Sequence, residues 1–169
     1  MKIAGAMLII ITAYMIGRIK RGSALVGERV LDQIIQLFKE IKSSIEHSVG
    51  SLVNTITTSS CKEVYNKLGF LAKVAVDQKT GLYLGEVLCR AFDSWEYAAS
   101  LTKDERAIIT GVFNVIGSDS GKSEVTKLDF AVERLEELHK ARRENNKKHK
   151  GYYETVFTLA GIAAAILLI

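Results

Sequence analysis

The stretch "TKDERAIITGVFNVIGSDSGKSE", residues 102–124, decides between two folds. It closes on Gly121-Lys122-Ser123, the tail of a phosphate-binding loop, which belongs after a strand in an α/β sheet. It opens on Thr102-Lys103-Asp104-Glu105, a capping box. There the threonine hydroxyl accepts from the Glu105 amide and the Glu105 carboxylate reaches back, so a helix starts at this point. The spacing favours the helix. A phosphate loop reads G-x-x-x-x-G-K-[ST], which places its first glycine at position 116. That residue is Ile116, and Gly117 comes one position late. Ile108, Ile109, Val112, Phe113, Val115 and Ile116 form an apolar stripe with helical spacing, and Gly117 ends it as a helix-terminating glycine does. Residues 117–123 then read as a helix–turn–helix connection. Gly117 terminates, Ser118 or Asp119 turns, and Ser120 or Ser123 caps the next helix.

"GSDSG" within this turn also has the outline of a serine-hydrolase elbow, but the nucleophile position of G-x-S-x-G is occupied by Asp119. His47, His139 and His149 are scattered without ligand spacing, and acid pairs such as Glu136-Glu137 belong to a helix face. No nucleophile–base pair and no metal-ligand cluster emerges. The expectation is a protein without catalytic residues, metal or cofactor.

Outward from this stretch the chain continues to read as helix. It contains no proline. Val30, Ile34, Phe38, Ile41, Ile45, Val49, Leu52 and Ile56 recur in steps of three and four, with Gly50 and Ser51 as a break. "CKEVYNKLGFLAKVAV", residues 61–76, carries Val64, Leu68, Leu71 and Val74 or Ala75 at the same spacing. "DQKTG" is a turn, and Leu84, Val87, Leu88, Ala91 and Phe92 form one face of the next helix. On the last helix Val125, Leu128, Val132, Leu135 and Leu138 or His139 share a side. Glu136 with Lys140, and Glu144 with Lys148, are favourable i,i+4 pairs. The pattern predicts an all-α fold: an up-and-down bundle of about six helices over residues 21–150.

The two ends predict flanking transmembrane helices, residues 1–20 and 151–169. "IAGAMLIIITAYMIG" and "VFTLAGIAAAILLI" contain no charge. Flanking residues extend both runs toward the length of a membrane span. Arg18, Lys20 and Arg21 follow the first, and Arg142, Arg143, Lys147, Lys148 and Lys150 precede the second. Tyr152 and Tyr153 sit at its head, suited to the headgroup interface. Positive charge on the inner side of both runs places the bundle in the cytoplasm. The competing reading of the first run is a cleaved signal peptide, with Lys2 before it and Ser23-Ala24 at the cut; the cations directly after it favour a retained anchor. Gly161 with Ala165, and Ala13 with Gly17, have the small-xxx-small spacing of packed membrane helices, although alanines as apolar filler explain them equally well. The basic residues beside the anchors account for the net charge of +4. Each attracts anionic lipid by on the order of 1 kcal/mol, so nucleic acid is not needed as a partner. Cys61 and Cys89 are isolated and fit reduced thiols of a cytoplasmic domain.

The order of these features resembles the stage III sporulation protein AB family of endospore-forming bacteria. The features are a short apolar N-terminal run, a long helix ending "IKSSIEHSVGSL", the helix "LTKDERAIITGVFNVIG", a turn with Asp119, and a long charged helix leading to a tyrosine-headed apolar end. The resemblance is strongest from Leu101 onward. Ile116-Gly117 stands where the family tends to have Leu-Gly, Asp119 or Ser120 falls near its Asp, and Glu124 near its Gln. The resemblance implies a bundle similar to one repeat of the inner-membrane platform proteins of type II secretion and type IV pilus machines. It further implies a non-enzymatic assembly component of the channel complex between mother cell and forespore, at the mother-cell membrane around the forespore. A secretion-type ATPase and other channel membrane proteins are the implied partners. Self-association would complete a platform that in the secretion machines carries two bundles. Lys103, Asp104, Asp119, Lys122 and Glu124, charged and placed outside the apolar stripes, are the candidate partner-binding residues. Two alternatives compete. One is a membrane-tethered nucleotidase using Lys122, the other a holin-like membrane-remodelling protein.

Overall fold

The computed structural model describes residues 2–47, 52–77, 83–116, 121–148, 155–156, 158–160 and 162–163. Six α-helices are described: α1 (Lys2–Glu46), α2 (Leu52–Ser60), α3 (Phe70–Asp77), α4 (Leu84–Asp93), α5 (Lys103–Val115) and α6 (Gly121–Lys148). Two short 3-10 turns, Glu63–Tyr65 and Glu96–Ser100, join α2 to α3 and α4 to α5. No strand occurs among the described residues, so the chain is all-α as the apolar periodicity predicts.

The chain divides into two compact units, Gly27–Lys140 and a second made of Met1–Val26 with Ala141–Ile169. In the first, consecutive helices pack as neighbours, α2 on α3, α3 on α4 and α4 on α5. Its centre is an aromatic cluster fed by four helices. Phe38 of α1 meets Phe113 of α5 edge-on at 5.8 Å, Phe92 of α4 meets Phe113 at 5.6 Å, and Phe70 of α3 meets Phe92 at 5.8 Å. These offset and edge-to-face contacts add to the stabilisation that burial of the rings already gives. Around them Val30, Leu31, Ile34, Leu37 and Ile41 of α1 are all buried, in steps of one, three and four.

The predicted core face of α4 is buried in full: Leu84, Val87, Leu88, Ala91 and Phe92. The α5 capping box forms as read, with the Glu105 amide donating to Thr102 Oγ1 (3.2 Å) and the Thr102 amide donating to Glu105 Oε2 (2.7 Å). Ile109, Val112, Phe113 and Ile116 are buried, whereas Ile108 and Val115 sit half-buried at the edge of the stripe. Between α4 and α5 the backbones approach closely: a side chain at Gly85 would put its Cβ 2.3 Å from the Phe113 carbonyl oxygen. The Tyr83 hydroxyl closes the same seam by donating to the Ile116 carbonyl (2.9 Å).

Two expectations are corrected. Residues 61–69 do not begin a helix. They form a 3-10 turn that buries Tyr65 and leaves Val64 57% exposed, and α3 starts only at Phe70. The cause is a set of contacts back to α1. Gln33 Oε1 accepts from the Lys67 amide (3.1 Å), Gln33 Nε2 donates to Asn66 Oδ1 (3.2 Å), and the Tyr65 hydroxyl donates to Glu40 (2.7 Å). Flanking transmembrane helices are not found either. Among the described residues no helix is long and apolar enough to cross a membrane. α1 is 45 residues long, yet its uncharged stretch lies between Lys2 and Arg18. At 1.5 Å per residue that stretch rises only about 22 Å, against a hydrocarbon core of roughly 30 Å. Most of residues 151–169, the second expected span, lies outside the described residues.

Candidate functional site

Of the five candidate partner-binding residues, the three whose side chains are described, Lys103, Asp104 and Glu124, do not converge. Lys103 and Asp104 are exposed in the first turn of α5, where the carboxylate of Asp104 also suits the positive end of the helix dipole. Glu124 is on α6 and is buried, at 4% exposure. It lines a void of about 10 Å³ with Val112, Val115, Ile116, Lys127 and Leu128, beside the far end of α5. α5 has 13 residues and rises 1.5 Å per residue, which sets Lys103 roughly 18 Å from that end. Glu124 therefore belongs to the packing of α6 against α5 and offers no charge to a partner. Lys122 lies in the first turn of α6, and Asp119 lies outside the described residues. The stretch read as a phosphate-binding motif follows α5 in sequence, and its Gly121-Lys122-Ser123 open α6. It lacks the preceding strand that aims such a loop at a nucleotide.

Of the residues expected at a membrane interface, Arg18, Lys20 and Arg21 lie on α1. Arg143, Lys147 and Lys148 are exposed on α6 and Arg142 is half-buried there. Lys150, Tyr152 and Tyr153 lie outside the described residues.

One concave surface among the described residues was not anticipated from the sequence. It is a groove of about 600 Å³ between α1 and α2, lined by Glu40, Ser43, Ser44, His47, Asn54, Thr55 and Thr58. The Ser44 and Thr55 hydroxyls meet across its seam at 2.8 Å. The signal was present on α1, where positions 40, 43, 44 and 47 are polar at the spacing of a single helix face. At the groove edge Glu40 receives hydrogen bonds from Lys62 and from the Tyr65 hydroxyl. Burial pushes the Glu40 carboxyl up, but the hydrogen bonds from Lys62 and Tyr65 outweigh it and hold the pKa below the usual carboxylate value. The Tyr65 phenol is pushed up by burial and by its bond to the Glu40 carboxylate. Both shifts favour one state, an ionised acid accepting from a neutral phenol, which is a structural clasp rather than a proton-transfer pair.

Chemistry elsewhere is equally sparse. Burial, and the nearby Asp93, raise the pKa of the Cys89 thiol, the opposite of what an activated nucleophile needs. Among the described residues no three His, Cys, Asp or Glu side chains are grouped to hold a metal.

The described residues form an all-helical bundle with an apolar core and charged outer faces, which places the chain in the class of helical-bundle proteins. Within that class the chain belongs to the stage III sporulation protein AB family, whose model matches residues 2–169. Comparison with curated proteins and with solved structures returns no significant match.

Proposed function

We propose that this sporulation protein is a non-enzymatic platform component of the channel complex between mother cell and forespore, and that its bundle docks a secretion-type ATPase. The carrying observation is the bundle Gly27–Lys140, whose interior is filled by aromatic and aliphatic side chains. A body of that kind acts through its surface. The partner side begins at the first turn of α5. There the capping box fixes the backbone, and Lys103 and Asp104 stand exposed on a rigid helix end. A stiff charged helix end suits a protein partner, because little ordering entropy is lost on contact. Association with the mother-cell membrane around the forespore, and with the other channel proteins there, is part of the same reading. Its support is the excess of Arg142, Arg143, Lys147 and Lys148 over the single acid Glu144 near the end of α6. Such a basic segment is drawn to anionic headgroups.

The test is recovery of the ATPase on the full-length chain from lysate of sporulating cells, alongside the double variant Lys103→Glu/Asp104→Lys. Recovery with the native chain and loss with a folded variant supports the docking role. Hydrolysis of magnesium-ATP by the chain itself, abolished by Lys122→Ala, would instead make it a nucleotidase.

A further inference from the structure

Burial is spread unevenly over the helices of the bundle. α4 buries six of its ten residues. α2 has nine residues and buries two, Ile56 and Ser59; Leu52 and Val53 are half-buried. Apolar burial is the main force that holds a short helix in place, so α2 is held much less firmly than α4.

What joins α2 to α1 is polar. The groove of about 600 Å³ follows their seam, and across it the Ser44 and Thr55 hydroxyls meet at 2.8 Å. Such a pair contributes little net stability, because water satisfies the same groups once they part. The Ser59 hydroxyl is buried beside Glu40 yet completes no well-formed hydrogen bond, which weakens the closed seam further. The firm contact lies just past the end of α2. There Glu40 accepts from Lys62 and from the Tyr65 hydroxyl, and bonds to an ionised carboxylate are the stronger kind. Immediately beyond, Gln33 holds Asn66 and the Lys67 amide, and Phe70 enters the aromatic centre. The Glu40 bonds thus act as a latch, and the Gln33 bonds as a fixed point behind it.

We infer that residues 52–65 form a flap, latched on α1 by the Glu40–Lys62–Tyr65 clasp, which lifts away while the aromatic centre stays folded. Lifting brings Ile56 into water and separates Glu40 from Lys62, a surface that the closed bundle does not present. The flap involves other helices than the one carrying Lys103 and Asp104, so it stands whether or not the ATPase docks there.

The experiment is hydrogen exchange of the full-length chain in mild detergent, read by mass spectrometry on peptides from α2 and α4. The α2 amides should exchange faster than those of α4 by about tenfold or more, because their opening leaves most of the buried surface in place. Two variants separate flap opening from global unfolding. Thr102→Ala removes the α5 cap, which stays intact when the flap alone is open. It should speed α4 about fivefold and leave α2 unchanged. Glu40→Gln weakens the latch, which is broken in either kind of opening, and should speed α2 about tenfold. Equal rates in α2 and α4 would overturn the inference. So would a response of α2 to Thr102→Ala as large as that of α4, or an α2 indifferent to Glu40→Gln.

Discussion

Replacing Gly85 with alanine sets two well-measured effects against each other, and the structure says which prevails. Gly85 lies inside α4, where alanine is ordinarily the better residue by about 0.5–1 kcal/mol. The added methyl, however, would sit 2.3 Å from the Phe113 carbonyl oxygen, 3.3 Å from the Phe113 carbonyl carbon and 3.0 Å from the Tyr83 ring. The oxygen is backbone in the middle of the core, and Phe113 is fully buried among Phe38, Phe70 and Phe92. Relief requires α4 and α5 to separate by roughly 1 Å, which costs about 1–3 kcal/mol as overpacking does elsewhere. The net loss centres on about 1 kcal/mol within a range of about 0–2.5 kcal/mol, and each kcal/mol lowers the melting temperature by about 4 °C for a domain of this size. Thermal unfolding followed by circular dichroism at 222 nm measures it. Gly111→Ala in α5 is the companion variant. A Cβ there meets nothing within 4 Å, so it should gain about 0.5–1 kcal/mol. If Gly85→Ala melted at or above the native temperature, the close α4–α5 approach and the argument built on it would be refuted.

Three further outcomes follow from the packing and the clasp. Thr102→Ala removes the hydroxyl that accepts the Glu105 amide and should cost about 1 kcal/mol in urea unfolding. Phe113→Ala empties the aromatic centre and should cost about 3–5 kcal/mol, enough to leave much of the chain unfolded at 37 °C; a well-folded variant would contradict the placement of that ring. The Glu40 carboxyl is held below its ordinary value in the folded chain. Its contribution is therefore present above the unfolded carboxylate pKa, and it is lost as pH falls through the folded value. Glu40→Gln should accordingly be less stable than the native chain at pH 7, and the difference should shrink below about pH 4.5. A gap that persisted at pH 3 would show that the clasp acts through shape and not charge.

Helices whose signals are local could be read from the chain. The α5 capping box needs only four adjacent residues, and the α4 face repeats over a single helix. Residues 61–69 were misread because Val64, Leu68 and Leu71 keep helical spacing across a turn, and the contacts that set the turn come from Gln33 and Glu40, far away in sequence. Glu124 failed for a related reason. Charge alone made it a surface candidate, yet the end of α5 covers it. The expected spans went wrong at the charges that bound the first apolar run, which leave it short on the helix that carries it. Only the α1 side of the groove, the polar face at positions 40, 43, 44 and 47, was legible, because that face acquires concavity only when a second helix is laid beside it.

The chain has a single tryptophan, and the fold has set it inside the aromatic centre. Trp95 is 7% exposed, with its ring 5.0 Å from Phe70 and 5.8 Å from Phe92. Helices α3 and α4 cannot part without wetting that indole. Its emission colour therefore gauges the bundle from within and needs no added label. A blue spectrum that survives partner capture would mean docking on an intact body, and a red shift would mean that the partner pries the helices open.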